Sequence, residues 1–127
     1  MSSNQPSIDL PKLRKEASSP ETTSARLTQL ANQNHREINK AIAINPNAPL
    51  EILWQLGQDY PSELLNNPIL ALLPLENLNL IQDIPEDTLC ALLREKECPE
   101  WLIELAFKQC LTQKVGIIIL SVYHQKT

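Results

Sequence analysis

The residues with the widest chemical reach in this chain are three cysteines, Cys90, Cys98 and Cys110, and two histidines, His35 and His124. Both types ligate metals, but a structural zinc takes four ligands, two of them usually in a close pair, and no C-x-x-C spacing occurs here. Cys90 and Cys110 stand beside leucines of core type and read as small apolar residues, and Cys98 falls at a helix start. His35 follows Asn34, a helix-cap residue type, and neither histidine has a local Ser or Asp arrangement of the kind a nucleophile–base pair uses. With only two glycines the chain has no phosphate-cradling loop. No catalytic, metal-ligating or cofactor-binding residue is nominated, and a non-enzymatic role is expected.

Charge is uneven along the chain. Residues 1–48 carry six basic and four acidic residues, residues 49–112 three basic against eleven acidic, and Lys114 and Lys126 add two positive charges near the end. Arg26, Arg36 and Lys40 are the residues with which a basic nucleic-acid face would begin. Nucleic-acid affinity rests on neutralising several phosphates, and the acidic centre opposes it, so this is the alternative reading. The few aromatics include Trp54 and Trp101, each at the edge of an apolar helix arc. Tryptophan there suits half-buried packing first and an interface second. The segment Lys114–His124 (KVGIIILSVYH) is the most apolar of the chain. Its Ile117 and Ile118 are candidates for self-association or a partner contact, should the segment not fold back as a final core helix; periodicity leaves helix and strand both open.

The elements that must position these residues are marked by proline. Of ten prolines, six have a carboxylate one or two positions later: Pro20, Pro49, Pro61, Pro74, Pro85 and Pro99. Proline suits the first helical turn, where its missing N–H is no loss, and a carboxylate there meets the positive end of the helix dipole. The pattern predicts helices over about 20–31, 34–44, 49–59, 61–65, 74–82, 85–96 and 99–111, with a further helix at 114–124. Asn34 is expected as the N-cap of the second, with Glu37 completing a capping box. In the helix 49–59, Leu53, Leu56, Gly57 and Tyr60 share one arc, with Ile52 on one edge and Leu50 and Trp54 on the other. Leu75, Leu78 and Ile81 are expected to form the apolar face of helix 74–82. Residues 1–18 are expected to be a mobile tail and 19–127 a single helical-repeat domain.

The chain also repeats itself. Ser19-Pro20-Glu21-Thr22 followed by Leu27-x-x-Leu30-Ala31 recurs 26 residues on as Asn45-Pro46-Asn47-Ala48 followed by Leu53-x-x-Leu56-Gly57, and Asn67-Pro68 opens a degenerate third copy. Repeats at such periods are the mark of stacked architectures. The stretch NPNAPLEILWQLGQDYP (45–61) resembles the leucine-rich repeat variant family, within the wider HEAT-like group, and the chain is similar to cyanobacterial proteins of this type. The resemblance implies an all-α solenoid-like stack of about seven or eight short α and 3₁₀ helices. The founding member of that family carries a cysteine-ligated iron–sulfur module ahead of its repeats. Residues 1–89 here contain no cysteine, so no cofactor carries over.

Length and composition agree with this picture. The chain has 127 residues, 43% of them hydrophobic, which is too apolar for wholesale disorder and enough for one core. No apolar run approaches the ~20 residues that span a bilayer, and Met1–Ser7 are polar, unlike a signal peptide. The expectation is therefore a cytoplasmic protein-interaction module or adaptor whose partner is another protein.

Overall fold

The computed structural model describes residues 9–109 and 113–126, and all regular structure among them is α-helical. Ten helices follow one another: α1 (Leu10–Ser18), α2 (Ser24–Ala31), α3 (Arg36–Ile44), α4 (Leu50–Asp59), α5 (Pro61–Leu65), α6 (Pro68–Glu76), α7 (Leu80–Asp83), α8 (Glu86–Arg94), α9 (Glu100–Gln109) and α10 (Gln113–Lys126). The most extensive packings pair α1 with α3, α4 with α8, α8 with α10, α4 with α5, and α3 with both α4 and α5. No helix among the described residues is long and apolar enough to cross a membrane.

Four of the six marked prolines open helices as their chemistry dictates. Pro61 is the first residue of α5, and Pro49 and Pro85 stand just ahead of α4 and α8 in an extended conformation (φ −58°, ψ 143° and φ −55°, ψ 141°). Pro99 immediately precedes α9, its carbonyl accepting from Leu102 N and Ile103 N. Carboxylates follow in each first turn: Glu51, Glu63, Glu86 with Asp87, and Glu100.

The other two behave differently. Pro20 lies in a turn, and α2 starts at Ser24 under a Thr23 cap whose Oγ1 accepts from Arg26 N at 3.2 Å. Pro74 lies inside α6, which begins at Pro68 under an Asn67 cap. An interior proline removes one helical hydrogen bond at a cost of ~3 kcal/mol. Burial of Leu70 and Leu73, at ~1.5–3 kcal/mol each, offsets it. The expected helix 74–82 is therefore replaced by the end of α6, a turn and the short α7. Of its three expected core leucine and isoleucine positions only Ile81 is buried; Leu75 and Leu78 are 80% and 82% exposed.

Three further expectations are corrected. Residues 10–18, expected within a mobile tail, form α1. Asp9 caps it through Lys12 N, Leu10 and Leu13 pack against the core, and Ala17 is fully buried. Asn34 is not an N-cap: its φ of 53° places it in the left-handed region that asparagine tolerates, closing the turn after α2, and α3 starts behind His35. The alternating 3₁₀ elements are also not found among the described residues, where the short connections are single turns such as Gln33 N to Leu30 O.

The helices with one apolar face supply the core. Leu27 and Leu30 of α2, Ile38, Ala41 and Ile42 of α3, Leu53 and Leu56 of α4, Leu89, Leu92 and Leu93 of α8, and Leu102, Ile103 and Ala106 of α9 form one buried core. Gly57 lets α4 approach its neighbours: a Cβ there would lie 2.5 Å from Leu64 Cδ2 of α5 and 2.9 Å from Thr88 Cγ2 of α8. Thr88, fully buried, donates its hydroxyl to the carbonyl of Trp54, tying α8 to α4.

Two asparagines join successive turns. Asn45, 2% exposed, donates through Nδ2 to the carbonyls of Ala17 and Ser19, both at 2.8 Å, and accepts from Asn47 N at 2.9 Å. Asn67, equally buried, donates to the carbonyls of Ala43 at 2.9 Å and Asn45 at 3.1 Å, and accepts from Ile69 N at 3.0 Å. The last carbonyls of a helix have no intrahelical partner. Each asparagine supplies one to a helix two elements earlier: Asn45 to the end of α1, Asn67 to the end of α3.

Candidate functional site

The basic residues do not assemble into one face. Arg26 projects from α2 onto Glu16 of α1 in a two-point contact, Nε to Oε2 at 2.7 Å and Nη2 to Oε1 at 3.0 Å, and its Nη1 donates to Gln29 Oε1. The hydrogen bond from the guanidinium holds the Glu16 carboxyl below its usual 4.5, and the same contact raises Arg26. This pair borders an open, mixed-charge hollow between α1 and α2 that also holds Lys12, Lys15 and Glu21. Arg36 and Lys40, one turn apart on α3, line a different hollow of about 380 Å³ together with Asp59, Glu63 and Glu95, so carboxylates from three other parts of the chain face them. Sequence spacing could not show this, because the countercharges lie about 20 to 60 positions away in the chain.

The aromatic candidates are also redistributed. Trp54 is buried at 8% exposure in the core, its backbone carbonyl accepting from Thr88. Trp101 is half-buried at the start of α9, packed against the core. The C-terminal apolar segment is helical. Val115, Ile118 and Ile119 of α10 face inward, while Ile117 and Leu120 are 60% and 67% exposed. Of the two isoleucines nominated, Ile118 belongs to the core and Ile117 to the surface.

Of the residues with chemical reach, Cys90 and Cys98 are buried. Cys110 and the side chain of His124 lie outside the described residues. His35 stands just ahead of α3 with its Nδ1 buried and without a hydrogen-bond partner among the described residues. Asn39 follows one turn later, 4% exposed, with its Oδ1 likewise unpaired.

What sequence reasoning missed is an exposed leucine row. Leu72, Leu75 and Leu78 are 51%, 80% and 82% exposed along the end of α6 and the turn after it. Helix α6 (PILALLPLE) is apolar all round yet buries only Leu70 and Leu73, and it is not among the closely packed helix pairs. Side-chain hydrogen bonds hold the turn that follows: Asn77 Nδ2 donates to the Asp83 carboxylate, Asn77 Oδ1 accepts from Asn79 N at 2.9 Å, and Gln109 Nε2 of α9 donates to the Leu78 carbonyl at 2.8 Å. The signal was present in composition, since an all-apolar helix interrupted by proline has no polar face to turn outward. The arrangement can bind apolar surface. No protein-family model, no curated protein and no solved structure matches this chain.

Proposed function

We propose that the chain is a non-enzymatic, cytoplasmic protein-interaction module built as a short helical-repeat stack of the leucine-rich repeat variant kind, with another protein as its partner. The observation that carries the reading is the repeated asparagine link. Asn45 and Asn67 stand at matching places in two successive turns, and each side chain bonds the carbonyls that end an earlier helix. Ser19 occupies the same place one turn earlier, its Oγ accepting from Glu21 N as Asn45 accepts from Asn47 N. Recurring turns joined in one direction make a rigid frame with faces free for contact. The exposed leucines of α6 and the outward Ile117 and Leu120 of α10 supply such contact surface.

Affinity capture with the full chain from its source cell, followed by mass spectrometry, tests the reading. A partner recovered in stoichiometric amount supports it. Recovery of none, together with a monomeric chain by light scattering, refutes it. Nucleic-acid binding, the competing reading, is checked by gel shift at low salt; a shift abolished by reversing the charge of Arg36 and Lys40 would replace the protein-partner reading.

A further inference from the structure

We infer that residues 74–79, the end of α6 and the turn after it, form a strap that opens as a unit while the rest of the chain stays folded, and that Gln109 of α9 is its latch. The inference goes beyond the interaction-module reading and stands without it. The strap lies between two anchors, Leu73 of α6 and Leu80 of α7, which are 8% and 2% exposed. No residue between them is buried. Opening therefore withdraws no buried side chain, and the apolar burial that holds α4, α8 and α9 in the core does not hold the strap.

Hydrogen bonds hold it instead. At its ends, Asn77 N donates to Leu73 O at 2.9 Å and Gln82 N to Asn79 O at 3.0 Å. Within it, Asn77 Oδ1 accepts from Asn79 N at 2.9 Å, and Asn77 Nδ2 donates to the Asp83 carboxylate. These bonds join residues at most 6 positions apart. Among the described residues, the tie from a distant part of the chain is the bond from Gln109 Nε2 to Leu78 O, 2.8 Å long and 31 positions apart. The side-chain bonds are exposed, so water competes for their donors and acceptors. Pro74 loosens the segment further, having no N–H to give to Leu70 O one turn earlier. Helix α6 is absent from the extensive helix packings, whereas α7 packs on α9. Few buried contacts and solvent-exposed hydrogen bonds are the physical marks of a segment that opens at a smaller free energy than the whole fold.

Gln109 sets how often the strap opens, because its bond must break before Leu78 can leave α9. The bonds inside the strap travel with it. Leu75 and Leu78, 80% and 82% exposed, thus ride on a movable support, while the frame joined by Asn45 and Asn67 stays in place.

The test is native-state hydrogen exchange of the full chain by NMR in low urea, under conditions where exchange reports the opening equilibrium. The Asn77 and Asn79 amides are the reporters, and the slowest amides of α4 and α8 are the reference. The reporters are expected to exchange about a hundredfold faster than the reference or more, with little dependence on urea, since opening exposes little new surface. Gln109→Ala is expected to speed both reporters together, by about three- to tenfold. Ile42→Val, which removes one buried methyl from α3, is expected to speed the reference by about two- to tenfold and leave the reporters unchanged, because a strap that opens alone breaks no contact of Ile42.

Reporters no faster than the reference, or as steeply dependent on urea, overturn the strap, as do reporters that Ile42→Val speeds as much as it speeds the reference. Reporters unmoved by Gln109→Ala overturn the latch.

Discussion

The side-chain amide of Asn67 donates to the backbone carbonyl of Asn45 at 3.1 Å, across 22 residues of chain, while Asn45 makes the same kind of bond to Ser19 at 2.8 Å. Each of these side chains is 2% exposed, so the carbonyls they meet have little water to turn to if the amide is removed. An unsatisfied buried carbonyl costs ~1–3 kcal/mol. Asn45→Ala and Asn67→Ala, each orphaning two carbonyls, are expected to lower stability by roughly 2–4 kcal/mol in urea unfolding. Asn45→Asp should be no better, because a carboxylate keeps the acceptor and loses the donor. An Asn45→Ala midpoint equal to wild type would remove the asparagine link as a structural element.

Gly57 is expected to resist the substitution that helix propensity favours. Alanine in a helix interior is worth about 1 kcal/mol over glycine. Here its Cβ would meet Leu64 at 2.5 Å and Thr88 at 2.9 Å. Gly57→Ala should destabilise by about 1–3 kcal/mol through overpacking. Combining it with Leu64→Ala should cost less than the two changes summed, a coupling read from a double-mutant cycle. A stabilised Gly57→Ala protein would place α4 farther from α5 and α8 than described.

The prolines separate by position. Pro85 and Pro99 precede their helices, so replacing either with alanine is expected to change stability by under about 1 kcal/mol. Pro74 is inside α6, and Pro74→Ala restores a backbone donor there, so it is expected to stabilise the chain, by up to ~3 kcal/mol. Calorimetric melting of the three variants checks the order. A loss on Pro74→Ala would return that proline to a helix-starting role.

Glu16 gives a pH signature. Its carboxyl is held below the usual 4.5 chiefly by the hydrogen bond from Arg26. A carboxylate whose folded value is depressed contributes stability that is fully present above its unfolded value and is lost as pH falls through the folded one. The melting temperature of wild type is therefore expected to exceed that of Glu16→Gln at neutral pH, and the gap should close as pH drops below 4.5. A gap independent of pH would mean that Glu16 acts by packing and not by charge.

Much of the helical plan was legible because it is local. Pro-acid pairs at Pro49, Pro61, Pro85 and Pro99 mark helix starts through first-turn geometry and dipole, both settled within four residues. Apolar spacing in α4 named Leu53, Leu56 and Gly57 as one arc, and all three are buried, since a helix with a dominant apolar face turns it inward. The candidate surface was not legible. Leu75 and Leu78 carry the same apolar signal as Leu89 and Leu92, and a helix that is apolar on every side does not say which side its neighbours will cover. Tetrads such as Asn34 to Glu37 misled for a related reason: asparagine caps a helix start and closes a helix end equally well, and the chain used the second option.

The sequence by itself determined an all-helical chain, its main helix starts and most of its core, because propensity, capping and periodicity act over one or two turns. Only the tertiary structure decided that Asn45 and Asn67 bond an earlier turn, that Arg26 belongs to Glu16, that Trp54 and Ile118 are covered and that Leu75 and Ile117 are not. Each of these depends on which atoms a residue distant in the chain brings alongside, and burial or pairing exists only once both surfaces are in place.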